Sequence, residues 1–217
     1  MTINFLDVVK RVAPTARENY LEAFDHGASL FDQHGITTPQ RMAHFIAQAM
    51  QETGSFTVLR ENMNYSAERL MQIFGVGHHS AMVTESEAAA LAHQHEAIAE
   101  RVYGLGNPRK ARELGNTEPN DGFVYRGNGV LQTTGRGNHR HIGQACGVDF
   151  EGDPNLVTVP EHALKPALQE WTEGHLNVAA DANDISRITR VINGGLTGLD
   201  QRKAFFATLL PLLKGDA

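Results

Sequence analysis

Two glutamates and one glycine-rich run hold the residue types that could do chemistry in this chain. Glu52 ends the apolar-periodic segment Arg41-Met-Ala-His-Phe-Ile-Ala-Gln-Ala-Met-Gln-Glu52, and Glu61 follows the next turn in Arg60-Glu61-Asn62-Met63-Asn64-Tyr65. The run is Tyr125-Arg-Gly-Asn-Gly-Val-Leu-Gln-Thr-Thr-Gly-Arg-Gly-Asn138. Phe45, Ala49 and Met50 before Glu52, and Phe56 after it, predict an apolar setting. Such a setting raises a carboxyl's proton affinity and lets it stay protonated near neutral pH. Glu61 lies among hydrogen-bond donors, which favour the ionised form. One protonated and one ionised carboxyl are what general acid and base work on a glycosidic bond requires. Nine residues apart, the pair cannot share one helix face, so a reversal near Thr53-Gly54-Ser55 must set their separation. By residue type alone, both also fit helix-end or surface glutamates.

Gln132, Thr134 and Asn138 sit among glycines at 127, 129, 135 and 137. Such glycines let backbone approach a ligand closely or take left-handed angles. A hydroxyl there could orient a nucleophilic water, and the amides could bind sugar hydroxyls or an N-acetyl group. A solvent-facing turn cluster is the competing reading. Asn193-Gly194-Gly195 reads as a helix end followed by a turn. Eleven histidines raise the question of a metal. None of their clusters, His78-His79, His93-Gln94-His95 or His139-Arg140-His141, has the helical H-E-x-x-H arrangement. We therefore expect neither metal nor cofactor. Cys146 has no base at recognisable spacing and reads as a buried free thiol. Gly127-x-Gly129 does not follow a strand, so the dinucleotide reading fails on context.

A chain of 217 residues suffices for one packed unit or two lobes sharing a cleft. Lys and Arg total 19 against 25 Asp and Glu, a formal net charge of -6. That argues against a nucleic-acid partner, which needs a basic stripe. The single cysteine excludes an intrachain disulfide. No run approaches a membrane span, and the first ten residues lack the pattern of a secretory signal.

Period-3.6 patterning dominates and predicts a mostly α fold. Helices are expected over Asn4 to Val12, Arg17 to His34, and from Thr38-Pro39 to Glu52, the last burying Met42, Phe45, Ile46, Ala49 and Met50. Ser66 to Phe74 reads as a short helix closed by Gly75. Thr84 with Glu87 forms a capping-box pattern opening a helix that ends near Tyr103-Gly104. Between Gly104 and Gly137 an ordered loop is expected, with a small hairpin over Phe123 to Gln132. Four helices follow: Asn138 to Cys146, Pro160 to Glu173 with Pro166 either in its first turn or kinking it, Ala182 to Ile192, and Leu199 to Leu213. With no internal repeat and no long linker, residues 1–217 read as a single catalytic domain without a separate wall-binding domain.

Four motifs, in order over about 160 residues, resemble glycoside hydrolase family 19, the plant-type chitinase family, and its phage and prophage endolysin branch. They are Phe45-Ile-Ala-Gln-Ala-Met-Gln-Glu52-Thr-Gly, Glu61-Asn-Met-Asn-Tyr-Ser66, Tyr125-Arg-Gly-Asn-Gly-Val-Leu-Gln-Thr-Thr-Gly-Arg136, and Ile192-Asn-Gly-Gly195 with Arg202 following. The resemblance implies a lysozyme-like, two-lobed helical domain with a central substrate cleft. It implies Glu52 as proton donor, Glu61 as second carboxylate and Thr134 as the residue positioning water. It also carries substrate contacts onto Gln132, Asn138, Asn193 and Arg202. The chain departs from chitinase members at Gln51, where they have histidine, and in Arg126-Gly127-Asn128-Gly129, and it lacks the disulfides of secreted chitinases.

These departures favour peptidoglycan glycan strands as the partner, cut with inversion, over chitin. A non-catalytic glycan-binding protein is the rival from another class. The resemblance further implies a monomer, made in a bacterial host's cytoplasm and acting in the periplasm or wall after passage through a separate membrane pore.

Overall fold

The first four helices of the computed structural model, which describes residues 5–216, are α1 (Phe5–Val12), α2 (Glu18–His26), α3 (Ala28–Gln33) and α4 (Pro39–Glu52). The expected start of the first helix at Asn4 lies outside the described residues. The single helix expected over Arg17 to His34 is interrupted at Gly27. A Cβ there would sit 2.5 Å from Leu164 Cδ1 and 2.8 Å from the Ala23 carbonyl oxygen. Only a hydrogen fits where the chain passes so close, and α2 gives way to α3. At the head of α4, Thr38 Oγ1 accepts the Arg41 N–H at 3.2 Å, and Pro39 occupies a first position that needs no donor.

Six helices follow: α5 (Ala67–Phe74), α6 (Glu85–Leu91), α7 (His95–Tyr103), α8 (Pro108–Leu114), α9 (Asp121–Val124) and α10 (Arg136–Cys146). The capping box forms as expected, with Thr84 Oγ1 accepting the Glu87 N–H and the Glu87 carboxylate accepting the Thr84 N–H. The helix it opens is shorter than predicted. It stops at Leu91, and His93 at φ +62° turns the chain before α7 begins. The expected long loop contains α8 and α9, and the expected hairpin does not form. Phe123 and Val124 are helical, and the run after them makes only isolated bridges, Asn128 with Arg60 and with Thr133. Cys146 forms no disulfide and is half-buried rather than fully buried.

A 3-10 turn over Pro154–Thr158 leads to α11 (Lys165–Glu173), α12 (Leu176–Asp181), α13 (Ile185–Asn193) and α14 (Leu199–Lys214). Pro166 falls in the first turn of α11, where a missing N–H costs nothing. Helix α12 was not anticipated; Asn183 at φ +54° and the Asp184 cap separate it from α13.

The chain forms two compact units. The first takes in the chain up to Leu59, Gly129–Gln132, and everything from Asn155 onward. Its core is aromatic: Tyr20, Phe24, Phe31, Phe45, Phe56 and Trp171 are fully buried, with ring centroids 5.2 Å apart for Phe24–Phe56 and 5.5 Å for Phe45–Trp171. Rings packed edge-on at this spacing add to the burial of large apolar area. The second unit is Arg60–Asn128 with Thr133–Pro154. It packs Met63, Leu70, Phe74, Val83, Ile98 and Val102. Asp121, buried, accepts from Arg136 at 2.6 and 2.8 Å and from the N–H groups of Thr117 and Glu118, which ties α9 to the start of α10.

Candidate functional site

In the first unit, α4 is buried on nearly every side from Met42 to Met50, yet it carries His44, Gln48 and Glu52 at four-residue spacing. These fall one above another on a single helical face. His44 stacks on Phe206 and bonds Asn183; its burial pushes the ring's pKa down to about 4 and keeps it neutral. Below it, Arg202 from α14, 2 % exposed, donates from Nη1 to Gln48 Oε1 and from Nη2 to Glu52 Oε1, each at 2.5 Å. Gln48 in turn donates to Thr189 Oγ1 at 3.4 Å. Glu52 is thus not in the apolar setting expected of it: a buried guanidinium holds one oxygen while the side chain stays 17 % exposed. Arg202, expected among the substrate contacts, is committed inside the unit and fixes Glu52 instead.

Another carboxyl of the first unit belongs to the neighbourhood of Glu52 and was missed by sequence reasoning. Glu170 on α11 has its pKa pushed up to about 7, first by burial and then by the charges of Glu52 and Glu173. Nothing in the pattern of α11 marks it. By contrast, the polar stripe on α4 was visible as a sequence signal. Just beyond Glu52, three consecutive left-handed residues, Gly54, Ser55 and Phe56, build the expected reversal. Left-handed backbone costs about 1–2 kcal/mol at each non-glycine. Thr53 holds it: its Oγ1 accepts the Phe56 N–H at 2.9 Å and its carbonyl takes the N–H groups of Thr57 and Val58. Phe56 is anchored in the aromatic core.

In the second unit, Glu61 is fixed at both its backbone and its carboxyl group. Its N–H donates to the Gly127 carbonyl at 2.7 Å, its own carbonyl accepts from Arg126 Nε at 3.3 Å, and Tyr103 Oη donates to Oε1 at 2.9 Å. Its pKa is raised, because burial outweighs the opposing effects of Tyr103, the Gly127 backbone and Arg126. The expected donors are present, but desolvation wins over them. Arg126 lies 4.0 Å over the Phe123 ring and bonds the Phe123 carbonyl, so it faces inward.

The glycine-rich run is divided between the units. In the first, Gln132, at φ +54°, donates through Nε2 to the Gly129 carbonyl at 2.8 Å. In the second, Thr133 is buried while Thr134 is half-buried, so Thr134 is the hydroxyl residue nearer solvent. Asn138 is exposed, and its Nδ2 donates to the Thr134 carbonyl at 2.7 Å. Asn193 is exposed at the end of α13 in the first unit. Among the described residues no three His, Cys, Asp or Glu side chains converge to hold a metal ion. Glu52 in the first unit and Glu61 in the second are each half-buried and held by a side-chain donor.

No family model matches the chain. It is 29% identical over 213 residues to a glycosyl hydrolase family 19 domain-containing protein of Haemophilus influenzae, covering 97% of this chain and 98% of that protein. Among solved structures, chitinase C from Streptomyces griseus shares the fold with a TM-score of 0.62 at 17% identity, over 98% of this chain and 93% of that one. A bacterial family 19 chitinase gives 0.61 at 17% identity, over 97% and 95%. The class IV chitinase of Zea mays gives 0.53 at 16% identity, over 99% and 92%. Over its whole length the chain is thus similar in sequence to a glycosyl hydrolase family 19 domain-containing protein, and it shares its helical fold with family 19 chitinases.

Proposed function

We propose that this glycoside hydrolase is an endolysin that cuts β-1,4 bonds of bacterial peptidoglycan by an inverting mechanism. Glu52 is the general acid: it gives its proton to the leaving glycosidic oxygen as the bond to the anomeric carbon breaks. Glu61 is the general base: it takes a proton from the water whose oxygen attacks that carbon from the opposite face, and Thr134 orients that water. Gln132, Asn138 and Asn193 contact the sugars. The observation that carries the acid–base reading is the treatment of the two glutamates. Each is held by a side-chain donor, Arg202 on Glu52 and Tyr103 on Glu61, and each remains partly open to solvent. Gln51, the inward-facing Arg126 and the lone cysteine support peptidoglycan over chitin. The named chitinases of the same fold favour a second reading, hydrolysis of N-acetylglucosamine polymers. In the endolysin reading the protein works as a single-domain monomer and reaches the wall through a pore made by another protein.

The roles are tested by rescue. Glu52→Gln should regain turnover on an aryl glycoside whose leaving group needs no protonation, while Glu61→Ala should be rescued by azide with formation of an inverted glycosyl azide. The opposite pattern would exchange the two roles, and rescue of neither variant would remove both glutamates from the chemistry.

A further inference from the structure

Tyr103 ends α7, and the structure gives it one polar side-chain partner, the Glu61 carboxylate at 2.9 Å. The backbone that carries the phenol is itself fixed: the Tyr103 main-chain carbonyl accepts from Asn116 Nδ2 at 2.9 Å, and Asn116 is buried. Asn116 Oδ1 also accepts the Arg136 N–H at 2.8 Å, at the first residue of α10, immediately after the Thr134-Gly135 segment. One chain of contacts therefore runs from the segment bearing Thr134, through Asn116 and Tyr103, to Glu61. We propose that Tyr103 is a positioning residue for the general base: its hydroxyl fixes Oε1 of Glu61 so that the carboxylate's remaining acceptor capacity is turned to the attacking water. The idea rests on the reading of Glu61 as base.

A carboxylate offers about four acceptor positions, so one phenol bond and one backbone bond leave room for a water proton. Donation to the ionised form also opposes the burial that would otherwise keep Glu61 protonated. The charged and titratable groups around Glu61 are Tyr103 from α7, Tyr65 from the segment before α5 and Arg126 from the glycine-rich run. Of these, Tyr103 alone makes a direct side-chain bond to the carboxylate. Its own phenol pKa is held well above the usual value by burial first and by the Glu61 charge second, so it remains a donor through the working range.

Tyr103→Phe removes one oxygen and keeps the ring. It should move the acid limb of the pH–rate profile to higher pH, with a loss of about tenfold below the parent's optimum and a smaller change above it. Carbon-detected titration of the Glu61 carboxyl, with no substrate present, should show the same upward move of its midpoint. Glu61→Gln is run in parallel. If that variant keeps parental turnover, the reading of Glu61 as base falls. If it is inactive while Tyr103→Phe leaves both the acid limb and the Glu61 midpoint where they were, only the role of Tyr103 falls. A folded Tyr103→Phe protein that loses activity equally at every pH would also overturn the inference, because a packing role has no reason to move one limb alone.

Discussion

Glu52→Gln keeps the volume of the side chain and an oxygen for Arg202 to bond, and it removes the proton that an acid must give. The substitution should therefore leave the melting temperature within a few degrees and lower turnover by roughly 10²–10⁴-fold. Normal turnover by the folded variant would exclude Glu52 as the acid. At Glu61 the burial that raises its pKa has a sign that can be followed. A base acts only when ionised, so activity should fall as pH drops through a midpoint above the ordinary carboxyl range of about 4. A profile flat down to pH 4 would contradict a base with that proton affinity. Thr134→Ala should cost less than Glu61→Gln, since it disorders a water without removing the group that takes its proton. If both act on one water, their losses will not add in a double-mutant cycle. Strictly independent losses would separate their roles. The residue types were legible at this scale, but their surroundings were not. The sequence shows donors near Glu61 and apolar residues before Glu52; it does not show that a guanidinium 150 residues further on reaches Glu52.

Helices α4, α11 and α14 make the environment in which Glu52 and Glu170 are held, and Glu170 gives that packing a pH dependence. Its folded-state pKa, about 7, stands above the ordinary 4.5. Between these values the folded protein binds a proton that the unfolded chain lacks, so stability should fall as pH rises through that window and stay lower above it. Glu170→Gln is neutral at every pH. It should match the parent near pH 4 and be more stable by about 1–3 kcal/mol at pH 8, measured by denaturant unfolding at both values. Equal stability at pH 8 would show that Glu170 carries no such burden. A second element-scale test lies at Gly135, at φ +94°, where a Cβ would stand 2.5 Å from the Leu114 carbonyl oxygen. Backbone at both ends of that contact leaves no flexible atom to yield. Gly135→Ala should cost more than about 2 kcal/mol and displace the Thr134 segment; an unchanged unfolding midpoint would refute the packing argument.

The long α4 was readable because its cap, proline and apolar face agree. The breaks at Gly27, His93 and Asn183 were not, since each depends on a close approach or a left-handed residue that periodicity does not register. The expected hairpin failed for a related reason. Tyr125 is buried with its hydroxyl on the Glu151 carbonyl, and backbone N–H groups of the run go to Leu59 and Tyr125 rather than to a paired strand.

For the whole molecule, preference among glycans is set by the groups offered to the sugars rather than by net charge or fold. A net charge of -6 gives no long-range pull toward an anionic wall, so selectivity has to come from contacts at the sugars. N-acetylmuramic acid differs from N-acetylglucosamine by a lactyl group carrying peptide, placing bulk and charge on alternate sugars. The groups offered to them differ from those of a chitinase. Arg126 is occupied with Phe123 and the Glu61 backbone, and Gln51 stands where chitinases have histidine. The Gln51 side chain lies against Gly198, where a Cβ would come within 2.8 Å of its Nε2. The exposed amides of Asn138 and Asn193 suit N-acetyl groups in either polymer. Peptidoglycan fragments should therefore be cut with a higher kcat/KM than chitin oligomers of equal length. The preference would be modest, about 1–3 kcal/mol or 10- to 200-fold, if the lactyl group merely gains or lacks one apolar contact, and larger if a subsite requires it. Initial rates on matched soluble fragments, with mass analysis of which sugar bears the new reducing end, measure it directly. New ends on muramic acid would mark a lysozyme. Faster cutting of chitin oligomers with little action on peptidoglycan would assign the protein to the chitinases instead.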